Sequence, residues 1–230
     1  MRPDSYDDQT SFRGHVQADC ESTMTLVTEP YLVQAARWTN NGRHILAQFD
    51  DESVIVYQAY RPAIGQFAAK NGYFGGDFSL SRMSWIKPNF LWMMYRSGWA
   101  SKQGREVVLA VRLKRSAFDE ILRLAVHSAF VPEVYENEVA WRSAVATSDV
   151  RLQWDPDHDP SGDPVERRAI QLGLRGAVLA KYAKEWLLGI EDVSQFVQEQ
   201  SEFARPPFDR LITPKEDVYP VNEPEVGARL

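Results

Sequence analysis

The chain has 230 residues, 44% of them hydrophobic and 12% aromatic, which is ample for a packed core in one good-sized domain. Its net charge of −6 argues against a protein that coats DNA indiscriminately. The single cysteine, Cys20, excludes an intrachain disulfide and a cysteine-based zinc site. The first residues form no apolar leader and no apolar run approaches membrane-spanning length, so a soluble, cytoplasmic protein is expected.

Residues 1–24 are polar and acidic without periodicity and read as a disordered leader. Leu26 to Trp38 predicts a short helix, ended by the turn at Asn40, Asn41 and Gly42. His44–Phe49 and Ser53–Tyr60 then read as two strands of a hairpin around the acidic turn Asp50-Asp51-Glu52. Arg61 and Pro62 lead into a helix that Gly72, or the pair Gly75 and Gly76, would end.

The next stretch, Phe78 to Trp99, organises the chain. Trp85, Trp92 and Trp99 fall at seven-residue intervals, with Arg82, Lys87 and Arg96 among them and no acid between Asp77 and Glu106. Phe78–Arg82 alternates like a short strand, Trp85–Pro88 reads as a sharp turn, and Pro88 suits the first position of a helix that Gly98 ends. Leu91, Met94 and Tyr95 make one apolar stripe of that helix; Trp92, Arg96 and Trp99 make a neighbouring face, where a guanidinium can lie over an indole. From Arg82 to Arg115 eight basic residues stand against Glu106 alone, a local charge of +7 that leaves −13 for the rest. A basic middle in an acidic shell suits a confined anionic ligand, such as a nucleotide or a short piece of RNA or DNA.

Glu106–Leu113 is an apolar, β-branched strand. Ser116 and Asp119 resemble a capping box for a helix over 117–129, with His127 near its C-terminus. Trp141 opens a short helix, and Asp149–Trp154 reads as another strand. The loop that follows carries Asp155, Asp157, Asp159, Asp163 and Glu166 at positions 1, 3, 5, 9 and 12 of a calcium-loop template. Pro160 occupies the position that needs glycine, and Asp163, Pro164 and Glu166 also read as a helix start, so calcium is disfavoured. Mg²⁺ on Asp155, Asp157 and Asp159 remains open. A long helix over 164–188 is expected, with Ile170, Leu174, Val178, Tyr182 and Trp186 as its core stripe and Arg168, Gln171 and Arg175 on another face. Residues 201–230 are proline-rich and acidic and read as a loosely attached tail. The expected architecture is a single α+β domain over 25–200, a mixed or antiparallel sheet with flanking helices.

The segments RHILAQFDDESVIVYQAYRPAIGQFA, FSLSRMSWIKPNFLWMMYRSGWA and SDVRLQWDPDHDPSGDPVERRAIQLGLRG strongly resemble the uncharacterised family DUF4291, over roughly residues 28–198. A second resemblance is architectural. The order of VIVYQAYRP, helix, glycine-rich turn, FSLSR, helix and VVLAVRL is similar to the ADP-ribosyltransferase-like fold. That resemblance implies NAD held near Gln58, Tyr60 or Arg61, a second motif containing Ser79, Ser81 and Tyr95, and a third in DVRLQWD. Those transferases usually carry a glutamate in the late strand, where this chain offers Gln153 or Asp155. The tRNA 2′-phosphotransferases, one branch of that fold, resemble this chain in relying on basic residues, and Arg61, Arg82, Lys87 and Arg96 would hold phosphates in that manner.

Three readings follow. In the first the chain is a transferase that moves a ribosyl or phosphoryl group from NAD or a phosphorylated nucleotide to a nucleic acid or small acceptor. Arginines clamp phosphate, Trp85 or Trp99 stacks on a base, and Asp155 or His158 acts on a hydroxyl. In the second the same surface binds nucleotide or single-stranded nucleic acid without chemistry. In the third the tryptophans are core and the charges solvated. No Rossmann, P-loop or nucleophile-elbow motif is present.

Overall fold

The computed structural model describes residues 26–230, and the expected leader lies outside them. The first strand, β1 (Thr28–Pro30), runs into a single-turn helix, α1 (Tyr31–Ala35), shorter than the helix expected to reach Trp38. Strands β2 (Leu46–Ala47) and β3 (Ser53–Tyr60) follow, then helix α2 (Pro62–Asn71), which starts on its proline and ends on Gly72 in the left-handed region.

Strand β4 is Ser84–Ile86, where a turn was expected, and Phe78–Arg82 is not a strand. The reason is pairing: Ser84, Trp85 and Ile86 face Leu174, Gly173 and Leu172, while Phe78 packs sideways on Phe74. Helix α3 (Phe90–Ser97) begins two residues after Pro88 because the Asn89 side chain caps it, accepting from the Trp92 amide at 2.7 Å. Gly98 ends it at φ 61°. Strand β5 (Val107–Lys114) runs into α4 (Arg115–Leu124). No side chain caps α4, so the Ser116–Asp119 box does not form. Residues 125–127 leave the helix as β6 (Ala125–His127), and His127 is a buried strand residue rather than a helix-terminal cation.

After α5 (Glu138–Thr147), β7 (Val150–His158) extends through the residues expected to be a loop, and β8 (Pro164–Leu174) replaces the first half of the expected long helix. The two strands pair antiparallel along most of their length. Ile170 and Leu174 are four apart, a spacing that fits two steps of alternation as well as one helical turn. Leu172 between them is equally buried, so alternation is what the fold uses. The helix begins only at α6 (Gly176–Lys184), followed by β9 (Leu187–Asp192) and α7 (Ser194–Ser201).

The segment after 201 is not a loose tail. Strand β10 (Ile212–Pro214) pairs with β1, and β11 (Asp217–Val218) pairs with β2, while Leu211, Thr213, Glu216 and Tyr219 are buried. Proline suits such short edge strands, which do not need every N–H. Helix α8 (Pro224–Arg229) closes the described chain.

Two sheets carry the core. One has the order β3-β5-β9, all antiparallel; the other has the order β4-β8-β7-β6, with β6 parallel to β7. Val54, Val56, Leu109 and Val111 face the second sheet, α4 and α6, while Ile55, Tyr57, Val108 and Ala110 face α3 and α7. With both faces covered, β3 and β5 read as continuous apolar runs. The architecture is α+β in one domain. The sheets meet where Tyr57 and Lys87 exchange backbone hydrogen bonds of 2.7 and 3.2 Å.

Candidate functional site

At that seam the side chains of five elements enclose a cleft of about 600 Å³. Strand alternation supplies most of it. Gln58 and Tyr60 point in from β3, Trp85 and Lys87 from β4 and the residue after it, and Gln153 and Asp155 from β7. Gln171 joins them because it is the register partner of Gln153 across β7 and β8. Helix α3 contributes Trp92 and Arg96 one turn apart, with the Arg96 guanidinium 5.9 Å from the indole centre. Arg82 and Arg105 stand at the rim.

One end is a closed polar network. Gln58 donates to the hydroxyls of Tyr60 and Ser84, each at 2.8 Å, and its carbonyl accepts from buried Tyr182 at 2.5 Å. Burial pushes the Tyr60 phenol upward, so this end is neutral. The other end is strongly basic. Lys87, Arg96 and Arg105 gather there, Arg82 is also in the lining, and none of the four pairs with a carboxylate among the described residues. Asp155 is the one acid in the lining. It accepts from Gln153 at 2.7 Å and Gln171 at 2.6 Å, so amides hold it in place and no cation neutralises it.

Lys87 is only 7% exposed, and its ammonium makes no hydrogen bond or ion pair with any described residue. Burial first, and then the Arg96 and Arg105 guanidinia, lower its pKa to about 7, against the pull of Asp155. A buried amine without a partner that lines a cleft marks a place where a ligand belongs.

Eight of the expected site residues therefore meet here: Gln58, Tyr60, Arg82, Trp85, Lys87, Arg96, Gln153 and Asp155. Four do not line the cleft. Arg61 pairs with Asp77 at 2.8 Å on the exposed surface, and Ser81 is exposed and bonded to Ser79 at 2.9 Å. Tyr95 lies against the His158 ring, with centroids 3.5 Å apart, and His158 in turn lies 5.3 Å from the Trp92 ring. His158 thus backs the cleft wall instead of facing the lumen, and burial lowers its pKa. Trp99, the other expected stacking residue, is also outside the lining: it is half-buried against Phe90, and its indole donates to the Pro160 carbonyl.

The acidic run does not converge either. Asp157 is buried against Arg167 at 2.6 Å, and among the described residues no three His, Cys, Asp or Glu side chains group as metal ligands would. Gln171, Arg105 and Ser84 are additions to the site. Reading Ala169 to Leu174 by alternation would have set Gln171 opposite Gln153; Arg105 carries no local signal beyond its charge.

No helix among the described residues is long and apolar enough to cross a membrane. No curated protein matches the chain. A family model described as a domain of unknown function, DUF4291, matches residues 44–219, a span that includes every cleft residue named above. The chain belongs to the DUF4291 family.

Proposed function

We propose that the cleft binds a phosphorylated nucleotide, with NAD the foremost candidate, and that the protein is an ADP-ribosyltransferase-like enzyme that transfers a ribosyl or phosphoryl group to a nucleic-acid or small-molecule acceptor. The observation that carries this reading is the division of the cleft: cations unpaired among the described residues beside a single carboxylate that two amides hold in place. Arg82 and Arg96 suit the phosphates, and Trp85 offers a face for a base. The network of Gln58, Tyr60 and Ser84 suits a carboxamide or sugar hydroxyl. In ribosyl transfer the bond from the ribose C1′ to nicotinamide breaks and nicotinamide leaves with the electron pair. The acceptor then bonds to C1′ and gives its proton to solvent. Asp155 would stabilise the positive charge that develops on the ribose in between.

A second reading, a binder of nucleotide or single-stranded nucleic acid without chemistry, is favoured by one feature. Both Asp155 oxygens already accept hydrogen bonds, as in a purely structural carboxylate. Nicotinamide release from NAD, with mixed RNA, DNA and protein acceptors present, separates the two. Transfer predicts release that Arg82→Ala and Asp155→Ala each reduce by about a hundredfold or more. Nucleotide binding without release would leave the second reading, and release unaffected by either substitution would remove the cleft from the chemistry.

A further inference from the structure

Three cations converge on the basic end of the cleft from different elements. Lys87 follows β4, Arg96 lies in the last turn of α3, and Arg105 precedes β5. Arg105 is anchored beside Arg96 because one of its guanidinium nitrogens donates to the Arg96 carbonyl. The Arg96 guanidinium is steered by the Trp92 ring. The Lys87 backbone is fixed at the seam, since its amide and carbonyl both bond to Tyr57, and its side chain is almost wholly buried. Three cations gathered around a shared space, with Asp155 the one acid of the lining and none of them ion-paired among the described residues, form a receptor for an anion.

The charge count says which anion. A phosphodiester brings one negative charge and would leave most of the cluster uncompensated beside the buried Lys87. A terminal phosphate monoester or a pyrophosphate brings about two. We propose that Lys87, Arg96 and Arg105 form a subsite for a doubly charged phosphate group, terminal monoester or pyrophosphate, and that Lys87 takes up a proton from solvent when the subsite fills. This rests on the reading of the cleft as a phosphorylated-nucleotide site, and it narrows the ligand to one that presents two phosphate charges together, rather than the single charges of a strand passing through.

The proton uptake follows from what surrounds the amine. The charged groups acting on Lys87 are Arg96 from α3, Arg105 from the turn before β5 and Asp155 from β7; Arg82 lines the same cleft, and β3 and β8 present the neutral Gln58, Tyr60 and Gln171. Burial and the two guanidinia hold the empty site's amine near half-protonation at neutral pH. A dianion in contact with it reverses the balance and favours the ammonium. At pH 7.5, above that pKa, a net uptake of protons should therefore accompany each ligand.

The experiment is calorimetric titration of the full-length protein with AMP, 3′,5′-cyclic AMP and NAD at pH 7.5. Each titration is run in Tris and in HEPES, so that the difference in heat counts protons. AMP and cyclic AMP share base and sugar but differ in phosphate charge. AMP should bind at least about tenfold tighter than cyclic AMP, with proton uptake. Lys87→Met should lose most of the AMP affinity. Lys87→Arg, permanently charged, should keep the affinity and lose the uptake, which a merely structural lysine would not do.

Equal affinities for AMP and cyclic AMP, or AMP binding that Lys87→Met leaves unchanged, would overturn the subsite while leaving the nucleotide reading intact. AMP binding to the wild type without proton uptake would overturn the role given to Lys87. Failure of all three nucleotides to bind would overturn the subsite together with the reading beneath it.

Discussion

Gly173→Ala tests how the cleft wall is built. Gly173 lies on β8 as the register partner of Trp85 on β4, on the same face as Gln171. A Cβ there would stand 2.7 Å from the Met83 sulfur and 3.0 Å from two indole carbons of Trp85. The methionine end can move; the indole is a rigid plate. Both side chains line the cleft, so the displacement that relieves the clash carries them into the ligand space. Overpacking of this kind costs about 1–3 kcal/mol. Replacing a strand glycine returns about 0.5–1 kcal/mol through the unfolded chain. The net expectation is a loss of about 1–2 kcal/mol in urea unfolding followed by far-UV circular dichroism, with nucleotide affinity falling about tenfold. A variant as stable as the wild type, with unchanged nucleotide affinity, would refute the claim that β8 approaches Trp85 closely in order to shape the cleft.

Arg167→Met should cost about 3–5 kcal/mol in the same unfolding assay, because it leaves buried Asp157 without its 2.6 Å partner. Adding Asp157→Leu should recover most of that loss, and failure to recover would mean the arginine acts through Thr39, to whose carbonyl it also donates, rather than through the carboxylate. Glu216 is fully buried, and burial raises its pKa well above that of a free glutamate. A raised carboxyl contributes stability that is complete below the unfolded pKa of about 4.5 and is lost as pH climbs towards the folded value. The wild type should therefore be most stable relative to Glu216→Gln at acid pH, and the advantage should shrink steadily towards pH 8 in paired urea titrations. A difference that grows with pH would show that the Phe90 amide, which donates to Glu216 at 2.6 Å, outweighs burial.

Local chemistry made several elements legible. Proline at the start and glycine at the end delimit α2, and glycine ends α3, because those residues act within one turn of themselves. The clustering of Arg82, Trp85, Lys87 and Arg96 was readable because all four belong to one short stretch whose charge has no local counterpart. Asp155 was named from the resemblance and as the first acid of the run after DVRLQW, and β7 carries it into the cleft lining. What escaped was set by partners far away in sequence. Residues 164–174 become a strand because β7 and β4 flank them, and a four-residue apolar spacing does not distinguish that outcome from a helix. His158 looked like a companion to Asp155, three residues away. The irregular register between Pro156 and His158 turns it towards Tyr95 and Trp92 instead. The segment beyond 201 was misread because composition reports solubility and stiffness, and does not report which edge strands lack a neighbour.

The carboxylate of Glu216 completes the start of α3 by accepting from the Phe90 amide, across 126 residues of sequence. Every cleft residue named above, from Gln58 to Gln171, precedes it in the chain. On a ribosome, then, all the groups of the site emerge before the segment that seats the helix carrying Trp92 and Arg96. The cleft takes its final form late in biosynthesis, and a polypeptide interrupted between Gln171 and Glu216 would hold the full set of site residues without the clasp that positions two of them.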